Sequence, residues 1–176
     1  MDSGTIIIAA VFIAICILPF IFTGTKYRKQ KKKMLQALHT LAAQKQVKLS
    51  EYEICGNFAI GIDENSRYVF FSKTLQDEMT AQSTTLNEIS LCKLNSASRV
   101  LEEGEKVIDR IELVMQQRIP GQTPVSLCLY NSEYDSLTLK GELQVAMKWD
   151  QTIGNILKQL KKKEHVPVSA KKVAVV

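Results

Sequence analysis

The chain is poor in the residues that carry most biological chemistry. Its 176 residues include two histidines, one tryptophan, eight glycines and four prolines. His39 and His165 lie far apart, neither has a neighbour at triad or metal-ligand spacing, and both read as solvated surface residues. Cys16, Cys55, Cys92 and Cys128 occur singly. With no C-x-x-C pair, a zinc ribbon and a thioredoxin-type redox centre have no support, and the three later cysteines read as small buried hydrophobes in a reducing compartment. G-x-G-x-x-G, the P-loop lysine, H-E-x-x-H, G-x-S-x-G and the N-x-S/T sequon are all missing. No metal, cofactor or catalytic group is expected, and the chain reads as a non-enzyme.

Three residual chemical signals are weak on physical grounds. Ser90-Leu91-Cys92-Lys93 matches S-x-x-K, but that chemistry needs a helical turn, whereas in a strand positions three apart point to opposite faces. Glu102-Glu103-Gly104-Glu105 offers adjacent carboxylates rather than convergent ones and reads as a hairpin tip. An enzyme using carboxylates alone, with Asp77 and Glu78 in a polar loop, has nothing to orient those groups.

What the sequence does have is one long apolar run. Ile6 to Phe22 is 17 residues without a charge, extended to 19 by Thr5 and Thr23. As a helix it reaches roughly 26–29 Å, close to the hydrocarbon thickness of a bilayer. A cleaved signal peptide would begin with positive charge and end with a small-residue site. Here the flank is Met1-Asp2-Ser3-Gly4, and Ile21 to Thr25 lacks an A-x-A pattern, so residues 6–23 read as a retained anchor.

Charge is segregated around it. Lys26, Arg28, Lys29, Lys31, Lys32 and Lys33 put six cations into eight residues, whereas residues 1–5 hold only Asp2. The positive-inside rule then leaves residues 1–5 outside and the rest in the cytoplasm, giving a single-pass membrane protein. Those six residues are the candidate membrane-surface contacts, attracted to anionic lipid by about 1 kcal/mol each near the surface. Residues 47–157 carry 10 basic and 16 acidic residues, and residues 158–176 six basic and one acidic. The pI of about 9.0 therefore comes from the two ends of the chain. Nucleic acid is not an expected partner, because no basic groove with interleaved aromatic readers is visible in the middle.

Periodicity then divides the remainder. Met34, Leu35, Leu38, Leu41 and Ala42 give residues 24–46 a helical stripe that needs a surface to pack on. From Val47 the period becomes two: Tyr52, Ile54, Phe58, Ile60 and Ile62, the Asp63-Glu64-Asn65-Ser66 turn, and Tyr68 to Phe71 predict a two-stranded hairpin. Residues 73–86 are polar and aperiodic and predict a loop or short helix. Strands follow around Ile89 to Leu94, Val107 to Met115 and Val125 to Tyr130. Leu143, Met147, Ile153, Ile156, Leu157 and Leu160 return to a helical period, with Ala146 and Trp149 beside them, and Trp149 reads as a core plug. Residues 164–176 are expected as a loose tail.

The expected fold is α+β: an N-terminal transmembrane helix, a basic helical stalk, and a domain over 47–163. That domain is a curved antiparallel sheet or partial barrel of five to seven strands, packed by one long C-terminal helix. This element order, with Trp149 on the final helix, resembles the PH-like superfold over residues 50–162. The layout also resembles uncharacterised single-span proteins of the bacterial inner membrane with a small cytosolic domain. The Asp63-Glu64-Asn65-Ser66-Arg67 turn departs from the basic phosphoinositide-binding loop of PH domains. What the resemblance implies is a protein-binding or scaffolding module, with a protein partner in a membrane complex. The alternative is a sensor of anionic lipid surfaces working through the two basic ends of the chain.

Overall fold

A computed structural model describes residues 12–13, 27–65, 67–76, 78–102, 104–136 and 138–164. The predicted anchor and Lys26 lie outside these, apart from Phe12 and Ile13, which are helical and exposed. Among the described residues no helix is long and apolar enough to cross a membrane. Helix α1 (residues 27–44) leads into strands β1 (Glu51–Cys55), β2 (Phe58–Asp63), β3 (Tyr68–Leu75) and β4 (Glu78–Thr85). A 3-10 turn (Leu86–Glu88) precedes β5 (Ile89–Val100), β6 (Lys106–Gln117), β7 (Val125–Asn131) and helix α2 (Glu142–Glu164). The α+β class and the long closing helix are as expected. The single curved sheet is corrected to two antiparallel sheets, β1-β2-β3-β4 and β5-β6-β7, and no barrel closes among the described residues.

The predicted hairpin is in fact the start of the four-stranded meander. The apolar residues from Tyr52 to Ile62 are divided between β1 and β2 by the tight Gly56-Asn57 turn, where Gly56 has φ +53°. The left-handed conformation calls for glycine, and a Cβ at Gly56 would lie 2.8 Å from Glu142 Oε1 and displace that carboxylate. All of β2 is buried because both its faces are covered. Phe58, Ile60 and Ile62 face the main core, while Ala59 joins Phe70, Met34, Leu38 and Ala42 in a second cluster under α1. So α1 packs onto the outer face of the first sheet, and the Ser72 hydroxyl donates to the Met34 carbonyl at 3.2 Å.

The stretch 73–86, expected as loop or short helix, is another correction. It completes β3 and forms β4, which pairs with β3 from Tyr68↔Thr85 to Leu75↔Glu78. The first five residues of β4 are exposed, so no inside-outside alternation marks it. In α2, Val145, Ala146, Trp149, Ile153, Leu157 and Leu160 are buried, whereas Met147, placed on the core stripe by periodicity, is half exposed. Trp149 is 1% exposed and fills the main core as expected. One ion pair is buried there too: Lys73 Nζ lies 2.8 Å from Asp135 Oδ2, with both side chains below a tenth exposed.

Candidate docking cleft between β5 and α2

Helix α2 is tied to β1 by polar contacts in its first half and packs Ile153, Leu157 and Leu160 into the main core in its second. Trp149 Nε1 donates to Glu53 Oε2 at 3.2 Å, and Lys148 Nζ pairs with Glu51 Oε1 at 2.8 Å and Glu53 Oε2 at 3.0 Å. These contacts hold α2 against β1. Beyond them the helix and β5 enclose an open cleft of about 320 Å³, with Ser90, Leu91 and Cys92 on one wall and Asp150, Gly154 and Lys158 on the other. The last three recur every fourth residue, which places them on one stripe of the helix beside the apolar stripe.

The β5 wall presents backbone. β5 is an edge strand, paired only with β6 among the described residues. Its register shifts between Ile89 and Leu91, leaving Ser90 as the extra residue, and the Ser90 hydroxyl donates to the carbonyls of Gln116 and Gln117, each at 3.2 Å. A bulge increases local twist and turns the edge relative to the rest of the sheet. Ser90 is thus committed to backbone rather than to Lys93, and the S-x-x-K spacing lies in a strand, as expected.

Two features of the α2 wall cost stability. Gly154 sits inside the helix, where glycine is about 1 kcal/mol less favourable than alanine. A Cβ there would meet nothing within 4 Å, so no packing demand explains the glycine. Four residues earlier, Asp150 Oδ1 is buried, and its carboxylate takes only a weak hydrogen bond from the Cys92 thiol across the cleft. The neighbouring Cys92 thiol is pushed up to about 12, first by burial and then by the charge of Asp150. It is a protonated thiol at neutral pH and no nucleophile.

No family model, curated protein or solved structure matches the chain.

The six candidate membrane contacts are only partly gathered. Arg28, Lys29, Lys32 and Lys33 are exposed on α1, and Lys31 is half-buried, its Nζ 4.5 Å from the centre of the Tyr27 ring. They do not form one face, because Lys29 and Lys33 line a groove of about 880 Å³ between α1 and β4. The other expected sites stay apart. His39 is exposed on α1, with its ring 6.4 Å from that of Tyr52, and Glu78 is exposed at the start of β4. His165 and Asp77 lie outside the described residues. Cys92 is buried and Cys55 and Cys128 are half-buried, all three as free thiols. Glu102 and Glu105 are exposed at the β5–β6 tip. Sequence reasoning did not single out Asp150 or Gly154. The available signal was a glycine inside a strong helical period, four residues from an acid.

Proposed function

We propose that this chain is a membrane-anchored interaction module that takes an extended segment of a partner protein along the free edge of β5. The observation that carries the reading is the coincidence of two stability costs in one cleft. The interior-helix Gly154 and the buried, weakly satisfied Asp150 carboxylate both line the cleft beside the β5 edge. Natural sequences depart from local consistency mainly where function requires it. An incoming strand would hydrogen-bond β5 through its backbone and place alternate side chains in the cleft. Lys158 and Lys161 at one end of the cleft favour a partner with an acidic residue there. Catalysis is not supported: Ser90 bonds to carbonyls and Cys92 keeps its proton.

The seven described strands before the closing helix agree with the strand count of the PH-like superfold, and that resemblance stays part of this proposal. In the reading proposed here, residues 6–23 cross the membrane, residues 1–5 lie outside, and the cations of α1 that stay clear of the groove, Arg28 and Lys32 among them, lie against anionic lipid on the cytoplasmic side. Anchoring raises local concentration, so that weak contacts suffice. The exposure of Arg28, Lys29, Lys32 and Lys33 also favours the lipid-sensor alternative. That reading requires salt-sensitive binding of the chain to anionic but not neutral vesicles.

The test is capture by the full-length chain in mild detergent, compared with Gly154→Leu, which fills the cleft without entering the core. A specific partner retained by the wild type and lost by Gly154→Leu supports the proposal. Equal retention by both, or no specific partner at all, overturns it. A reporter fused after Val176 checks the placement separately, and activity only outside the cell contradicts it.

A further inference from the structure

Two surfaces away from the β5–α2 cleft lack partners among the described residues. The first is the far end of the β5–β6 ribbon. β7 pairs with β6 only from Arg110 to Met115, so the pairs Ser98↔Ile108, Arg99↔Val107 and Val100↔Lys106 form a two-stranded arm with no third strand. Every residue of β5 from Asn95 to Val100 is exposed, which means both faces of the strand are bare. At the tip, Val100 is 70% and Leu101 43% exposed. Glu102 and Glu105 flank the turn, where Gly104 has φ +84°. A two-stranded ribbon is marginal in water; Ile108 of this one packs against the main core and Arg99 pairs with Asp109 at 3.2 Å, which leaves Val100, Leu101, Glu102, Glu105 and Lys106 exposed at its end.

The second is the groove between α1 and β4. α1 covers β2 and β3 through Ala59 and Phe70 but stops short of β4. The resulting trough of about 880 Å³ has Ala37 and Leu41 on its wall and Met79 and Ala81 on its floor, and Lys29 and Lys33 stand at one end. Met79 is 46% exposed, and neither lysine has an ion-pair partner among the described residues. β4 is an open edge carrying a single charged residue, Glu78, among those described. It thus lacks the charges that usually guard such an edge.

The two surfaces are complementary: exposed Val100 and Leu101 suit the apolar lining of the groove, and Glu102 and Glu105 are opposite in sign to Lys29 and Lys33. We infer that the β5–β6 arm of one copy of this chain docks into the α1–β4 groove of a second copy. Val100 and Leu101 cover Met79, Ala81 and Leu41, and Glu102 and Glu105 face Lys29 and Lys33. Reciprocal exchange about a twofold axis closes the assembly as a dimer. Arg28 and Lys32, a helical step away from Lys29 and Lys33, stay clear of the groove and available to lipid. This inference does not depend on the β5–α2 cleft.

The experiment is the protein mass of the full-length chain in detergent by light scattering, using charge reversal on either surface. The wild type is expected as a dimer. Glu102→Lys with Glu105→Lys is expected to halve the mass, and so is Lys29→Glu with Lys33→Glu. An equimolar mixture of these two variants restores the dimer, because both of its interfaces are again complementary. The variant carrying all four changes restores it too, which shows that neither pair unfolded the chain. Gly154→Leu leaves the dimer intact, so that failure of this inference and of the cleft reading are distinguishable. A monomeric wild type, or loss of the dimer that neither the mixture nor the four-fold variant reverses, overturns the inference.

Discussion

At the scale of single residues, buried polar groups set the sharpest expectations. The Cys92 thiol is raised from about 9 to about 12 and that of Cys55 to about 11, burial being the first cause in both. In the folded chain these thiols hold protons that the unfolded chain releases above about pH 9. Their contribution to stability is complete below pH 9 and is lost as pH rises through 11 and 12. Thermal melts should therefore show the midpoint falling above pH 9, with a shallower fall in Cys92→Ala. An equally steep fall in that variant would contradict the burial argument. Asp135 gives a second expectation. Its carboxylate accepts from Lys73 Nζ at 2.8 Å, Asn57 Nδ2 at 2.6 Å and the Asn131 amide at 2.8 Å, tying β3, the β1–β2 turn and β7 together. Lys73→Met leaves that charge buried without its cation and should cost about 3–5 kcal/mol in urea unfolding. Adding Asp135→Asn, which removes the charge, should recover part of the loss.

At the scale of elements, α1 is held by few contacts, because its buried residues are Met34, Leu38 and Ala42. Leu38→Ala is expected to cost about 2–5 kcal/mol. Amide exchange should rise along α1 and in β2 and β3 beneath it, while β5 to β7 change little. A uniform rise across both sheets would show that α1 is not a separable layer. Elements with one wet and one dry face were legible from the sequence: the stripe Met34, Leu38, Ala42 lies under α1, and Ile111, Leu113 and Met115 of β6 are all buried. β4 was not legible because its exposed residues give no alternation, and the β1–β2 break was hidden because apolar residues continue across Gly56-Asn57. The phase of α2 was misjudged at Met147, since Trp149 and Ala146 fix which face turns inward. The cleft could not be read because it exists only where β5 meets α2, elements distant in sequence.

At the scale of the whole molecule, the described residues form three layers: α1 on the outer face of the first sheet, the main core between the two sheets, and α2 closing that core. This arrangement leaves the β5 edge open beside α2 and the β4 edge open beside α1. Each edge is a possible surface for strand pairing, and a protein that keeps such edges must manage them. The first is proposed to take a partner and the second another copy of the chain. The most direct test of the first assignment is hydrogen exchange across β5 in the full-length chain, alone and with the partner that it captures. Outward amides of the Leu91 to Asn95 stretch are expected to exchange rapidly in the free chain and to be strongly protected in the complex, with no protection gained in Gly154→Leu. Protection that appears elsewhere while β5 exchanges as before would contradict it.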